Sequence, residues 1–442
     1  MKSIQANLLR AFRHRNFALF FSGQIVSLTG TWMQSVAQSW LVYRLSDSAT
    51  LLGLVAFATM FPSFLFASFG GLLADRFDRR RILVGTQSSA MTLALILAAL
   101  TLTETIEIWH ILVLATLHGT VNAFDIPTRQ SFVVEMVGRE DLPNAIALNS
   151  SMFHAARMIG PAVAGVLVAT VGEGWCFFIN GVSYTAVIGG LLTMKLPRRL
   201  RETTPPAPIL RRLSDGWSFA SRTRPIRALM MMLALVSLVG MPYATLMPIF
   251  ADRILDGGAR GLGILFACSG MGALGGSLTL ATRRGVKGLG RWVARAAMLL
   301  GGFLLLFAFS KVFWLSGVLL VGVGAAMVVQ MASSNTLIQV MVPDELRGRV
   351  MALYSMMFMG MAPFGALVAG ALAERITAPL TIGIGGFFAL LGGMAFAFRL
   401  PALRIEARRL IVESEMVGGD PAEEMMAHEP IVPRGAKIKI ED

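Results

Sequence analysis

The sequence is short of charge. Of its 442 residues only 15% are Asp, Glu, Lys or Arg, against about 25% in a soluble globular domain. Mean hydropathy is +0.66, so one aqueous fold could not bury all the apolar side chains. Cysteine is scarcer still. Cys176 and Cys268 lie in different apolar runs, which excludes a disulfide framework and a thiolate metal site. The alternating pattern of a barrel strand is absent as well. The apolar runs are helix-length, which favours spanning helices over an outer-membrane barrel. Also missing are a phosphate-binding loop, metal-ligand spacing and a nucleophile–base–orienter set. The expectation is no enzyme, no metal and no cofactor.

What is present is a series of twelve apolar runs. They cover about 17–43, 50–75, 82–103, 108–135, 143–171 and 174–196, then about 225–252, 258–282, 289–310, 312–341, 347–374 and 378–400. Each is long enough to span a bilayer, which takes roughly 20 residues. The net charge of +13 would suggest nucleic acid in a soluble protein. Here the basic residues fall in alternate loops, as in the N-terminal segment (Lys2, Arg10, Arg13, Arg15) and after the second, sixth and eighth runs. Cytoplasmic loops collect Lys and Arg, so the expectation is a multi-pass inner-membrane protein with both termini cytoplasmic and no nucleic-acid partner. The N-terminal run is read as a retained helix rather than a cleaved signal.

The chain divides into a first six-helix half (1–196), a cytoplasmic linker (197–224), a second half (225–400) and a mostly disordered cytoplasmic tail (401–442). Within the linker, Ile209 to Ser221 has the pattern of a short amphipathic surface helix. The halves repeat weakly: Glu140, Gly160 and Gly165 recur as Glu345, Gly365 and Gly370. Duplicated halves are characteristic of transporters that rock about a central site. The fold class expected is therefore all-α and integral to the membrane, with two pseudo-symmetric six-helix bundles around a central cavity.

The stretch GGLLADRFDRRRIL, residues 70–83, packs its charges between two apolar runs. Gly71, Asp75, Arg76, Arg79 and Arg80 resemble the helix 2–3 loop motif of the major facilitator superfamily, with Asp78 standing where that motif has its second glycine. The resemblance extends over residues 15 to 400. AFDIPTRQSFVVEMV, DLPNAIALNS, ARMIGPAVAG and PDELRGRVM further resemble its branch of siderophore exporters and related secretion effectors. The resemblance implies that Asp75 latches one face of the protein against the start of helix 11, near Arg347 and Arg349. Gly160, Pro161 and Gly165 resemble the helix 5 motif of exporting antiporters, with Ala156 at its earlier glycine position. Small residues and proline there permit close packing and a bend.

Polar residues at membrane depth are costly and mark function or packing. Helix 1 carries Gln24, Ser27, Thr31, Gln34 and Gln38 on one face. Helix 4 carries His118, Asn122, Asp125 and Arg129, helix 5 carries Ser150, His154 and Arg157, and helix 10 offers Gln330. Gln34, Gln38, Asn122, Arg129, His154, Arg157 and Gln330 are the candidates for a substrate cavity, and hydrogen bonds between packed helices are the competing explanation for each. Asp125 is the candidate proton carrier, with a static pair to Arg129 or Arg157 as the alternative. The cluster of basic groups suits an anionic or catecholic cargo. The function expected is proton-coupled export of a small amphipathic molecule, siderophore-like or drug-like, by a monomer whose partners are that molecule and the bilayer. A broad multidrug pump and a non-transporting sensor or assembly protein are the rival readings.

Overall fold

A computed structural model describes residues 10–138, 140–195, 209–283 and 285–415. The first half holds α1 (Arg15–Ser46), α2 (Ala49–Arg76), α3 (Arg79–Leu102), α4 (Ile108–Val137), α5 (Leu142–Val171) and α6 (Glu173–Thr193). The linker contributes α7 (Ile209–Arg222). The second half holds α8 (Arg224–Ile254), α9 (Gly258–Ala281), α10 (Leu289–Phe309), α11 (Phe313–Met341), α12 (Asp344–Ile376) and α13 (Ala378–Glu415). No strand occurs among the described residues. Twelve helices thus run back and forth between a proximal face, which carries the start of α1, the α2–α3 turn and α7, and a distal face.

Ten of these helices are long and apolar enough to cross a bilayer on those grounds alone. The two that fall short are α1 and α4, whose polar stripes dilute them. Every expected span end lies within three residues of the helix end found, except the last. The apolar run of helix 12 ends at about 400, and residues 401–442 are expected as tail. Instead α13 continues through Pro401 to Glu415. Glu406 accepts the Arg224 backbone N–H at 3.3 Å, and Ile411 is buried in the main core, so the extension has a surface to pack on. Residues 416–442 lie outside the described residues, as does the linker from 196 to 208.

Local chemistry sets the turns. Ser48 caps α2 by accepting the Leu51 N–H. Asp78, which departs from the family motif, caps α3 by accepting the N–H groups of Arg80 and Arg81, a role glycine could not fill. α8 is interrupted by two π-helical turns, Val236–Gly240 and Phe250–Ile254. Such bulges relax the ladder of a helix at points that bend or serve function.

The halves meet along two matched seams. In one, α5 of the first half crosses α9: a Cβ on Gly165 would lie 2.9 Å from the Gly263 Cα. In the other, α12 of the second half crosses α2: a Cβ on Gly370 would lie 2.9 Å from the Gly53 Cα. Within each half, Gly160 sits against Thr29 and Trp32 of α1, and Gly365 sits against Leu238 of α8. The repeated glycines of the sequence therefore do the same job twice, letting backbones approach where any side chain would separate them.

Candidate transport site

Polar links between the halves gather at the distal face. Asp47 pairs with Arg253, and the Tyr43 hydroxyl donates to Asp252 at 2.8 Å. Glu374 of α12 accepts from the Ser48 hydroxyl at 2.9 Å and the Thr50 N–H at 3.0 Å. With the glycine seams beneath them, these links shut the distal face. Beside them, Arg44 holds the buried Glu173 through two nitrogens, at 2.8 and 3.3 Å, within the first half.

At the proximal face the charged loop is tied into its own half. Arg79 donates to the Ala74 carbonyl at 3.0 Å and to Glu135 at 2.7 Å. Arg80 reaches the carbonyls of Leu192 and Met194 at the end of α6. Asp75 is 72% exposed and paired with Arg79 at 3.5 Å. Arg347 pairs with Asp344 in the first turn of α12, and the Arg349 backbone packs under Gly216 of α7. In this conformation the Asp75 carboxylate is engaged by its own loop. Gly70 lies against the Ala123 backbone, whereas Gly71 faces open space. Nearby, Arg10 and His14 bind Asp141 at 2.9 and 2.7 Å. The His14 hydrogen bond holds the Asp141 carboxyl below the usual carboxylate range, with Arg10 acting in the same direction.

Asp125 lies at membrane depth on α4 and is 3% exposed. Its Oδ1 accepts from the Thr86 hydroxyl and from Gln87 Nε2, both at 2.8 Å. Its Oδ2 faces Arg129 Nε at 3.6 Å, one helical turn on. The carboxylate therefore points into the first bundle, toward α3. It borders a cavity of about 40 Å³ lined by Gln24, Thr31, Gln87, Asn122, Arg129 and Tyr184, among others. That volume admits a few waters. The Oε1 atoms of Gln24 and Gln87 are buried there without a partner, and water is the donor that fits. Nothing in the sequence singles out Thr86, Gln87 or Tyr184, because one such polar side chain in an apolar helix carries no signal of its own.

Gln34 and Gln330, expected at the cavity, turn into their own bundles in this conformation. Gln34 is buried and accepts from Asn180 Nδ2 at 2.7 Å, in the seam between α1 and α6. Gln330 is fully buried, and its amide donates to Ser334 at 3.3 Å on its own helix. Both satisfy the rule that a polar side chain inside the membrane turns toward protein, but toward their own bundle. Gln38 and Asn122 are half-buried.

On α5 the Arg157 guanidinium lies over the Trp32 ring at 5.6 Å. Phe153 meets the same ring edge-on at 5.6 Å. His154 keeps a buried Nδ1 without a partner. Among the described residues no carboxylate pairs with Arg157. Arg129 is thus neutralised by Asp125, whereas Arg157 has only an aromatic face.

The sequence pattern of the transmembrane secretion effectors matches residues 6–429. The staphyloferrin A transporter of Staphylococcus aureus is 26% identical over 380 residues, covering 86% of this chain and 95% of its own length. The enterobactin exporter EntS of Shigella boydii is 24% identical over 410 residues, covering 90% and 95%. Among solved structures, the nucleoside transporter NupG superposes with a TM-score of 0.68 at 13% identity, over 87% of this chain and 98% of that one. A bacterial homologue of the human lysosomal transporter Spinster, in an inward-facing and unoccupied conformation, superposes with a TM-score of 0.63 at 14% identity, over 91% and 98%. These two likenesses concern the fold.

Proposed function

The chain belongs to the transmembrane secretion effector family, a membrane transporter of the major facilitator type and not an enzyme, and from that premise we propose that it exports a small amphipathic molecule, siderophore-like or drug-like, in exchange for protons. The proximal face is cytoplasmic in this reading, in keeping with the basic loops it carries. The membrane is the cytoplasmic one, and the working unit is a monomer.

The transport cycle alternates access between the two faces. In the conformation described, the distal links and glycine seams are closed, so cargo enters from the proximal side. Opening the distal face means breaking Asp47–Arg253, Tyr43–Asp252 and the Glu374 cap. The Asp75 loop then turns from Arg79 to the start of α12 and closes the proximal side.

Asp125 carries the proton, and its burial at membrane depth beside a polar cavity is the observation that carries this reading. The carboxylate lies deep in the bundle, held by Thr86, Gln87 and Arg129 beside a water-sized cavity, so movement of these partners between the two states changes what it faces. Arg157 and His154 receive an anionic or catecholic group, and Trp32 offers its aromatic face. The relatives' names, a staphyloferrin A transporter and an enterobactin exporter, support cargo of that kind.

The test is flux in proteoliposomes, wild type against Asp125→Asn. The amide keeps an oxygen for Thr86 and Gln87, so the variant should fold. An imposed proton gradient should drive a catechol- or carboxylate-bearing cargo in the wild type and fail to do so in the variant. Gradient-driven flux that survives in a folded Asp125→Asn protein would sink the assignment of Asp125.

A further inference from the structure

We propose that the α9–α10 corner of the proximal face binds the phosphate headgroup of an anionic phospholipid. Two guanidinium groups converge there on one point. Gly288 has a left-handed backbone, φ 80°. A methyl-sized probe on its Cα would be 3.6 Å from Arg291 Nη2 and 3.8 Å from Arg283 Nη2. Arg283 is fixed in place by donating to the Lys287 carbonyl at 2.6 Å and by lying over the Trp292 ring at 4.9 Å. Like charges held this close repel unless an anion lies between them. Among the described residues no carboxylate pairs with Arg283, Lys287, Arg291 or Arg295.

The setting points to lipid as the source of that anion. α10 has 21 residues, about 31 Å at 1.5 Å per residue, which matches the hydrocarbon core of a bilayer. Arg295 is six residues into the helix, about 9 Å from its start. Arg291, Arg295, Leu299 and Leu306 share one stripe, and the two leucines are 53% and 61% exposed. The stripe therefore faces lipid, and its arginines must reach back to the headgroup layer for a counter-charge. They also sit in the first two turns of a helix, where the macrodipole repels cations and attracts an anion. A phosphate between Arg283 and Arg291, with its chains lying along the stripe as far as Leu299, answers all of these demands.

The test is native mass spectrometry of the full-length protein in mixed micelles of phosphatidylglycerol and phosphatidylcholine at physiological salt. The wild type should retain phosphatidylglycerol preferentially, and each cation removed should weaken that preference about fivefold. Arg283→Gln with Arg291→Gln should abolish it, and the paired Lys variants should keep it. Arg81→Gln, an 89% exposed side chain in the first turn of α3 on the same face of the protein, should change nothing. Arg295→Gln gives a second reading should the double variant not fold. A wild type without preference, or a double glutamine variant that keeps it, overturns the proposal. Inorganic phosphate that displaces the lipid at low millimolar concentration would instead assign the corner to a free anion.

Discussion

Glu374, near the distal end of α12, caps the first turn of α2 in the opposite half, accepting the Thr50 N–H at 3.0 Å and the Ser48 hydroxyl at 2.9 Å. A helix start normally finds its cap in its own chain neighbours. Here Ser48 supplies one acceptor for Leu51, and the other bundle supplies the second. The cap is therefore also a latch, because it exists only while the distal face is shut.

Replacing Glu374 by Ala should shift the protein toward distal-open conformations. Loss of a capping acceptor costs about 1 kcal/mol, roughly fivefold in the ratio of the two states. Spin labels at Thr103 and Lys311, on distal turns of opposite halves, would report it. Unchanged distance distributions would show that the glycine seams alone hold the face closed.

Gly263→Leu should disable transport in a protein that still folds. Any Cβ at Gly263 meets the Pro161 carbonyl oxygen at 2.5 Å, so α5 and α9 cannot close. Gly189→Leu is the control, since nothing lies within 4 Å of a Cβ there. Flux should fall at least tenfold in the first variant and stay at wild-type level in the second.

Arg157→Gln should weaken an anionic cargo about tenfold or more, the scale of a lost charge-assisted hydrogen bond. Binding of a neutral aromatic cargo should change little, because Trp32 and Phe153 remain. Arg157→Lys should restore part of the anion affinity. Titration of tryptophan fluorescence with paired anionic and neutral ligands separates these outcomes, and equal losses for both would remove Arg157 from cargo recognition.

The N-terminal tether should be acid-sensitive. Asp141 is held below the usual carboxylate range by His14 and Arg10. An acid depressed in the folded state adds stability above its unfolded pKa and loses it as pH falls through the folded one. The melting temperature of the wild type should therefore drop on acidification from about pH 5 downward, and Asp141→Asn should drop less steeply over the same range.

The helices were legible because lipid imposes a length and a composition on every span, so eleven of twelve could be placed from apolar runs alone. The extension of α13 was not, since it rests on tertiary contacts of Glu406 and Ile411. The repeated glycines were legible as a repeat, but not as two seams, because which helices cross is a property of the assembled halves. The polar stripes showed that Gln34, Asp125 and Gln330 need partners without showing which side of the helix those partners lie on. A fraction of a helical turn separates a cavity residue from a bundle residue, and the sequence period does not resolve it. The distal latch was invisible for a simpler reason: Tyr43, Asp252 and Glu374 are ordinary residues at helix ends until folding brings them together.

The glycine seams also set a mechanical advantage. Gly165 lies six residues from the distal end of α5 and 23 from its proximal end, lever arms of about 9 and 34 Å at 1.5 Å per residue. Gly370 divides α12 almost the same way, six residues from one end and 26 from the other. With a fulcrum so placed, a tilt of about 10° swings the proximal ends by about 6 Å and the distal ends by under 2 Å. The molecule is geared unevenly: a wide mouth on one side answers to a slight parting on the other, so the distal gate must be sprung by a shift of the fulcrum itself.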